Sequence, residues 1–138
     1  MAEQKSGNAV SAFIMKHGKF MLLKRCNPPI QWCPPCGRAR KAESLVDAVV
    51  RESKEETNLD VKVLMPITSW FGKHGGEILC SISFLCEYVS GEVKLSDEHN
   101  EFKWLTVEEM IQGEMTHDIK DFVRAREIKQ LFDAGKIE

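Results

Sequence analysis

The stretch from Gly37 to Leu59, GRARKAESLVDAVVRESKEETNL, contains the most informative pattern in this 138-residue sequence. Its second half has helical periodicity, and Ser44 followed three residues later by Asp47 is typical of a capping box at a helix start. At about 100° per residue, the apolar side chains of the first turns share one face, which three glutamates continue. These are Glu52, Glu55 and Glu56. The sequence predicts a helix over residues 44–57 that ends at Asn58, because Asn tolerates the left-handed conformation needed there.

A helix face that is apolar in one half and acidic in the other conflicts with ordinary folding preferences. Like charges three or four residues apart repel by about 0.2–0.5 kcal/mol per pair when exposed, and by more where the dielectric is lower. A hard divalent cation would offset this repulsion, and Mg²⁺ held by a few carboxylates and substrate phosphates is usual in phosphate chemistry. On the helix alone, a solvated face beside Arg51 and Lys54 is an equally good interpretation.

The same segment resembles the Nudix box, which reads Gly, five residues, Glu, seven residues, Arg-Glu, an aliphatic residue, any residue, Glu-Glu, any residue, Gly and an aliphatic residue. Seven of its nine defined positions match, including every charged one. They are Gly37, Glu43, Arg51, Glu52, Glu55, Glu56 and Leu59. Ser53 and Asn58 depart from the motif, and Cys36 replaces the first of two glycines common before it. A spaced motif of this length is specific, so the chain is identified as a member of the Nudix family, MutT-like.

The resemblance implies an α/β (α+β) fold, the Nudix-type α/β/α sandwich with a mixed β-sheet between helices. Apolar patterning agrees with this class. Strands are expected at 8–16, 19–25, 61–69, 78–89, 92–95 and 101–105, and further helices from 106 and over 118–134. Prolines and glycines predict loops at 26–41 and 71–77. Because neither a repeat nor a linker divides the chain, we expect a single domain over 1–138 whose residues 1–7 form a flexible N-terminus.

The resemblance also implies metal-binding and catalytic roles. Glu52, Glu55 and Glu56 would bind Mg²⁺, for which Mn²⁺ is an alternative. The backbone carbonyl of Cys36 would add a ligand, and Glu43 would support either the loop–helix junction or a second metal position. One glutamate, with Glu52 as the first candidate, would activate water, and Arg51 would orient the cluster through charge-assisted hydrogen bonds.

Residues outside the box complete the predicted site. Some members use a further acid from a later loop as ligand or base, and Glu98 and Glu101 are the candidates here. Plain surface charge is the alternative for both. The candidate substrate-binding residues are Arg25, Trp32, Gly37 and Phe71. For Trp32, Trp70 and Phe71, packing in the core is the more usual role of an aromatic side chain.

The implied reaction is attack of metal-activated water on a phosphorus of a diphosphate linkage. The first expectation is a nucleoside triphosphate pyrophosphohydrolase, because the compact chain has no extra domain for substrate binding across a dimer. The alternative substrates are ADP-ribose, a nucleotide sugar or a dinucleoside polyphosphate. A Nudix-fold regulatory module that binds nucleotides without turnover is the alternative from another class.

Composition limits the partners and the compartment. A net charge of −2 and a pI near 6.1 give no reason to expect a nucleic-acid polymer or an anionic membrane as partner. We therefore expect a small nucleotide-like substrate and a monomer or homodimer. The sequence has neither a signal-peptide pattern nor an apolar stretch near ~20 residues, and its five cysteines indicate free thiols in a cytoplasmic protein. The pair Cys33–Cys36 could alternatively form a redox pair or half of a zinc site.

Overall fold

The computed structural model describes residues 5–115 and 119–136, apart from the side chain of His74. Within these residues a seven-stranded mixed sheet lies between helices, which confirms the expected α+β class. The strands are β1 (Lys5–Lys16), β2 (Lys19–Arg25), β3 (Trp32–Cys33), β4 (Cys36–Arg40), β5 (Asp60–His74), β6 (Glu77–Ser90) and β7 (His99–Leu105). The helices are α1 (Leu45–Thr57), α2 (Val107–Gly113) and α3 (Ile119–Asp133). None of these described helices is long and apolar enough to cross a membrane.

The sheet is built around β1. Its strand order is β3-β2-β1-β6-β5, with β4 also pairing with β1 and β7 with β2. The β1–β6 pair is parallel and the other pairs are antiparallel. β5 lies at the edge of this order, where its Pro66 is tolerated because an edge strand need not donate every backbone hydrogen bond.

Two apolar cores cover the two faces of the sheet, because side chains alternate along each strand. Val10, Ala12 and Ile14 of β1 pack with Ala48 and Val49 of α1. The residues between them face α2 and α3, where the ring of Phe13 stacks on that of Phe122 at a centroid distance of 4.3 Å. The sheet therefore holds α1 on one face and the other two helices on the opposite face.

The ends of α1 form as the sequence predicts. Ser44 Oγ accepts the N–H of Asp47 at 3.1 Å, and Asn58 caps the other end at φ 66°. The segment after β6 then binds this helix end. Asn58 Nδ2 donates to Glu92 O at 3.0 Å, Lys94 N to Thr57 O at 3.0 Å and Ser96 N to Glu56 O at 3.3 Å. The end of the helix and the segment up to Ser96 are thus held together by two main-chain hydrogen bonds and one from the Asn58 side chain.

Two predicted elements are wrong for reasons that lie outside their own sequence. The expected strand at 92–95 is not a strand, because its backbone hydrogen bonds go to the end of α1. The expected loop at 26–41 contains β3 and β4, since β4 gains a pairing partner in β1, with Ala9 opposite Arg38. Long-range pairing overrides weak local propensity in such strands.

Two further predictions fail at chain reversals and ends. The expected loop at 71–77 is mostly strand, because only Gly75 and Gly76 form the turn, at φ 58° and 83°. Two consecutive residues with positive φ match the twist of a tight hairpin. Of the N-terminus expected to be flexible, residues 5–7 belong to β1, where Lys5 pairs with Arg40. Residues 1–4 lie outside the described residues.

Candidate active site

The last two turns of α1 carry the three glutamates at graded depths. Glu56 is 4% exposed, the Glu52 side chain is largely buried, and half of the Glu55 side chain is exposed. The predicted continuation of the apolar face is therefore right for Glu52 and Glu56, whereas Glu55 lies at its edge. Ser53, which replaces an aliphatic residue of the motif, is fully buried.

Arg51 ties the start of α1 to its acidic end. Its Nε and Nη2 each bind an oxygen of Glu43 at 2.9 Å, and Nη1 reaches Glu52 at 2.9 Å and Glu55 at 3.2 Å. The backbone N–H of Arg40 also donates to Glu43 at 2.9 Å. The hydrogen bonds from Arg51 lower the pKa of Glu43 to about 2, so this carboxylate is ionised at neutral pH. Of the two positions expected for Glu43, the structure places it at the loop–helix junction.

Burial opposes ionisation of the two inner glutamates. It raises the pKa of Glu56 to about 9, and the neighbouring Cys36 and Glu52 add to this rise, although Glu56 Oε2 accepts the Cys36 N–H at 3.0 Å. The pKa of Glu52 is also raised by burial, but the hydrogen bond from Arg51 opposes that rise. Without a compensating cation, the Glu56 carboxyl is therefore neutral at pH 7.

The loop before β7 supplies the other wall of the cleft. A carboxylate oxygen of Glu98, one of Glu56 and a ring nitrogen of His99 all lie within 4.8 Å of one another. A cleft of about 250 Å³ is lined by Glu52, Glu55, Glu56, Ser96, Asp97 and Glu98. Of the two acids proposed from the sequence, Glu98 thus joins the cluster, whereas Glu101 forms an ion pair with Lys24 at 3.7 Å.

Arg25 faces the cluster from β2. It lies opposite His99 in the β2–β7 pair, and its buried Nε has no hydrogen-bond partner among the described residues. Burial lowers the pKa of His99 and the Arg25 charge lowers it further, while Glu98 opposes the shift. Sequence reasoning did not single out His99, because one histidine beside an acid is a weak signal. Its only sequence clue is its position next to Glu98.

Of the remaining candidate substrate residues, Gly37 lies against Glu52, whereas the aromatic residues are not among those that line the cleft. Trp32 packs against the core on the α2–α3 side, with Lys103 Nζ 5.2 Å from its ring centre. Trp70 and Phe71, expected to pack in the core, are instead 53% and 72% exposed, because β5 extends to His74 at the edge of the sheet. Core packing is thus found for Trp32 and is the wrong prediction for the other two.

The two cysteines of the C-x-x-C motif lie beside the acidic helix. Their thiols are hydrogen-bonded to each other, and this bond and burial raise the pKa of Cys36 well above its ordinary value. All five cysteines lie within the described residues, and each of them is a free thiol there. Cys36 is not among the residues with positive φ, so its replacement of a glycine causes no backbone strain.

Comparison with known proteins identifies the family. The family model described as NUDIX domain matches residues 5–126. The ADP-ribose pyrophosphatase of Methanocaldococcus jannaschii is 34% identical over 122 residues, which cover 84% of this chain and 72% of the relative. The asymmetrical bis(5′-nucleosyl)-tetraphosphatase of Sus scrofa is 31% identical over 109 residues, or 74% of each chain. The crystal structure of the MutT protein from Methanosarcina mazei Go1 superposes with a TM-score of 0.76 at 27% identity, covering 94% of this chain and 99% of that one. The chain belongs to the Nudix hydrolase family.

Gly37 gives a first test of the site geometry. A Cβ at this position would lie 2.2 Å from Glu52 Cδ and 2.4 and 2.5 Å from its carboxylate oxygens. Gly37 has no positive φ, so the backbone would accept alanine. We expect Gly37→Ala to displace the Glu52 carboxylate and lower kcat/KM about 100-fold, as misplacement by about 1 Å can do, with little loss of thermal stability.

Gly7→Ala is the matched control, because a Cβ at Gly7 would meet only Ile78 O at an ordinary 3.4 Å. Steady-state kinetics and thermal melts of both variants make the comparison. Unchanged kcat/KM in Gly37→Ala would show that the position of Glu52 does not matter for turnover.

Proposed function

We propose that the protein hydrolyses the diphosphate linkage of a nucleoside diphosphate derivative in a reaction that depends on a divalent cation. The acidic cleft carries this proposal, because Glu52, Glu56 and Glu98 line one small space in which Glu56 is nearly inaccessible. Such a set of carboxylates is costly unless a cation binds it. We further propose ADP-ribose or a dinucleoside polyphosphate as the substrate class, supported by relatives that are at least 30% identical.

A nucleoside triphosphate, the first expectation from the sequence, remains the second candidate because the Gly37–Leu59 motif resembles that of the MutT-like group. The relatives that are more than 30% identical carry names that point to substrates with a second group beyond the diphosphate. The first expectation from the sequence therefore moves to second place. We also propose that the chain folds as a single domain and acts on a small molecule in the cytoplasm. Its proposed oligomeric state is a monomer or a homodimer.

The donor atoms of the cleft suit Mg²⁺ or Mn²⁺. Glu52, Glu56 and Glu98 offer carboxylate oxygens, and Glu55 borders the same cleft. Burial opposes ionisation of Glu56, and a bound cation would favour its ionised form. When bound, the cation would polarise phosphate oxygens and supply a nucleophilic water at neutral pH. The carbonyl of Cys36 is the proposed further ligand. Glu43 is proposed to hold Arg51 and not a metal, since both its oxygens bind that guanidinium.

The protein's own groups would position the reaction. Arg51 fixes Oε1 of Glu52, which leaves Oε2 to accept a proton from the attacking water. The Cys36 N–H fixes Oε2 of Glu56. Arg25, whose Nε lacks a partner in the described residues, is proposed to donate to a phosphate oxygen as negative charge develops there. Cleavage of the P–O–P linkage by water leaves a phosphate group on each product or releases pyrophosphate.

Purified protein with Mg²⁺ should be assayed on ADP-ribose, dinucleoside tetraphosphates, nucleotide sugars and nucleoside triphosphates. We expect the largest kcat/KM for one of the first two. Glu98→Gln should lower it about 10–100-fold because Glu98 lines the cleft. Glu101→Gln should leave it nearly unchanged because Glu101 pairs with Lys24 at the surface.

Two outcomes would contradict parts of this proposal. A preference for nucleoside triphosphates would restore the first expectation from the sequence. If the protein bound metal but turned over no compound of the panel, the regulatory-module interpretation would replace the enzyme.

A further inference from the structure

His99 is a buried histidine whose ring has an unmet hydrogen-bonding need. It starts β7 and is 6% exposed, and its buried Nδ1 has no hydrogen-bond partner within the described part of the chain. A buried nitrogen without a partner is costly, because it has lost water and gained nothing. Such a group in a folded protein needs an explanation, and a bound water, ligand or ion would provide one.

The surroundings of His99 identify the kind of ligand. A ring nitrogen of His99 and carboxylate oxygens of Glu56 and Glu98 converge within 4.8 Å. When the two carboxyl groups are ionised and the ring nitrogen is unprotonated, all three atoms present lone pairs to the same space, as the ligands of a cation do. The guanidinium of Arg51 is bound to Glu43, Glu52 and Glu55. A small cation is the species that can bind all three of these lone-pair atoms at once.

We propose that His99 contributes a nitrogen ligand to a divalent cation held together with Glu56 and Glu98. This position therefore prefers Mn²⁺ or another transition-metal ion to Mg²⁺. Imidazole suits transition metals, whereas Mg²⁺ takes oxygen ligands almost exclusively. The inference rests on the proposed function in so far as both place a cation in the acidic cleft. It adds a ligand from outside the acidic helix and a metal preference.

Pulsed electron paramagnetic resonance of bound Mn²⁺ tests the ligand directly. Metal-stripped full-length protein is loaded with Mn²⁺, and coupling of the electron spin to ¹⁴N is recorded by electron spin echo envelope modulation. We expect imidazole nitrogen coupling in the wild type, altered when the protein is labelled with [¹⁵N]histidine. The coupling should disappear in His99→Gln and persist in His17→Asn, a turn position with φ 51° that Asn accepts.

A second variant covers the case in which His99→Gln fails to fold. The chain has four histidines, so His17→Asn, His74→Gln and His117→Gln combined leave His99 as the only one. The nitrogen coupling should survive in this triple variant. Competition titrations should also show that the preference for Mn²⁺ over Mg²⁺ falls about tenfold in His99→Gln, since the amide offers oxygen in place of imidazole nitrogen.

The outcomes separate this inference from the proposed function. Mn²⁺ bound without any nitrogen coupling in the wild type would overturn the role of His99, whatever the hydrolase assay gives. Loss of coupling in the triple variant, with coupling kept in His99→Gln, would assign the ligand to another histidine and also overturn it. Nitrogen coupling that requires His99, in a protein that hydrolyses nothing, would support the inference while the proposed function failed.

Discussion

Glu56→Gln is expected to abolish hydrolysis and to stabilise the metal-free protein at the same time. The amide oxygen can still accept the Cys36 N–H, so the local packing is retained. The variant loses the negative charge that the proposed cation needs, and we expect kcat/KM to fall roughly 10³-fold or more. The stabilisation follows because burial raises the pKa of the native carboxyl to about 9.

The pH dependence of this stabilisation has a definite sign. In the unfolded chain a glutamate ionises near pH ~4.3. Because the folded pKa of Glu56 is raised to about 9, the unfolded state loses its proton first. The stability of the metal-free wild type therefore falls as pH rises from about 4.5 towards 9, and Glu56→Gln lacks this contribution.

Thermal melts in a chelator between pH 5 and 8.5 make the comparison. The difference in Tm between Glu56→Gln and wild type should grow with pH, and added metal should raise the Tm of the wild type alone. Glu127→Gln on the exposed surface of α3 serves as the charge-matched control. If Glu56→Gln were less stable than the wild type at every pH, burial of the Glu56 carboxyl would not be what destabilises the metal-free protein.

Arg51→Lys is expected to destabilise the protein by about 2–4 kcal/mol and to lower kcat/KM about 100-fold or more. The Arg51 side chain is 17% exposed, and its guanidinium makes two 2.9 Å bonds to Glu43 that lysine cannot make in the same planar geometry. Lysine keeps the positive charge but cannot bind Glu43, Glu52 and Glu55 at once, so largely buried carboxylate oxygens would lose their hydrogen bonds. Glu52 would also lose the 2.9 Å bond that fixes it.

Urea unfolding at pH 7 and steady-state kinetics test both parts, with Arg124→Lys on the exposed face of α3 as the control.

Because the folded pKa of Glu43 is lowered to about 2, the contribution of this carboxylate to folding stability is present at neutral pH and is lost as pH falls from about 4.5 towards 2. The stability gap between Arg51→Lys and wild type should narrow over that acid range. Equal stability of the two proteins at pH 7 would mean that Arg51 and Glu43 contribute only a surface ion pair.

The elements that the sequence predicts well are those with local causes. α1 has its cap at Ser44, its stop at Asn58 and its buried face within one continuous segment, so its bounds follow from periodicity and capping alone. β4 has no such local signal, because it exists through its pairing with β1. The segment 92–95 has the local pattern of a strand, but its hydrogen bonds go to α1.

The candidate site divides in the same way. The positions of Glu52, Glu56 and Arg51 relative to one another are set by a single helix, and the sequence anticipates them. Glu98 precedes β7 and lies beside the end of α1, whereas Glu101 lies within β7 opposite Lys24, and no local pattern reports this difference. The participation of His99 requires the approach of β7 to the end of α1, which only the folded chain provides.

The main-chain hydrogen bonds between the end of α1 and the segment after β6 mean that the Gly37–Leu59 motif depends on the rest of the domain for its structure. A chain cut after residue 90 would retain every residue of the Gly37–Leu59 motif but would lose Glu98, His99 and the amides that bind Thr57 O and Glu56 O. For protein engineers, this means that the motif cannot be grafted alone. It also indicates where the chain tolerates extra length. Gly75 and Gly76 form an exposed hairpin tip and are not among the residues that line the cleft, so insertions there should be tolerated. One residue added between Ser96 and Glu98 would instead shift the loop acid relative to the helix that it faces.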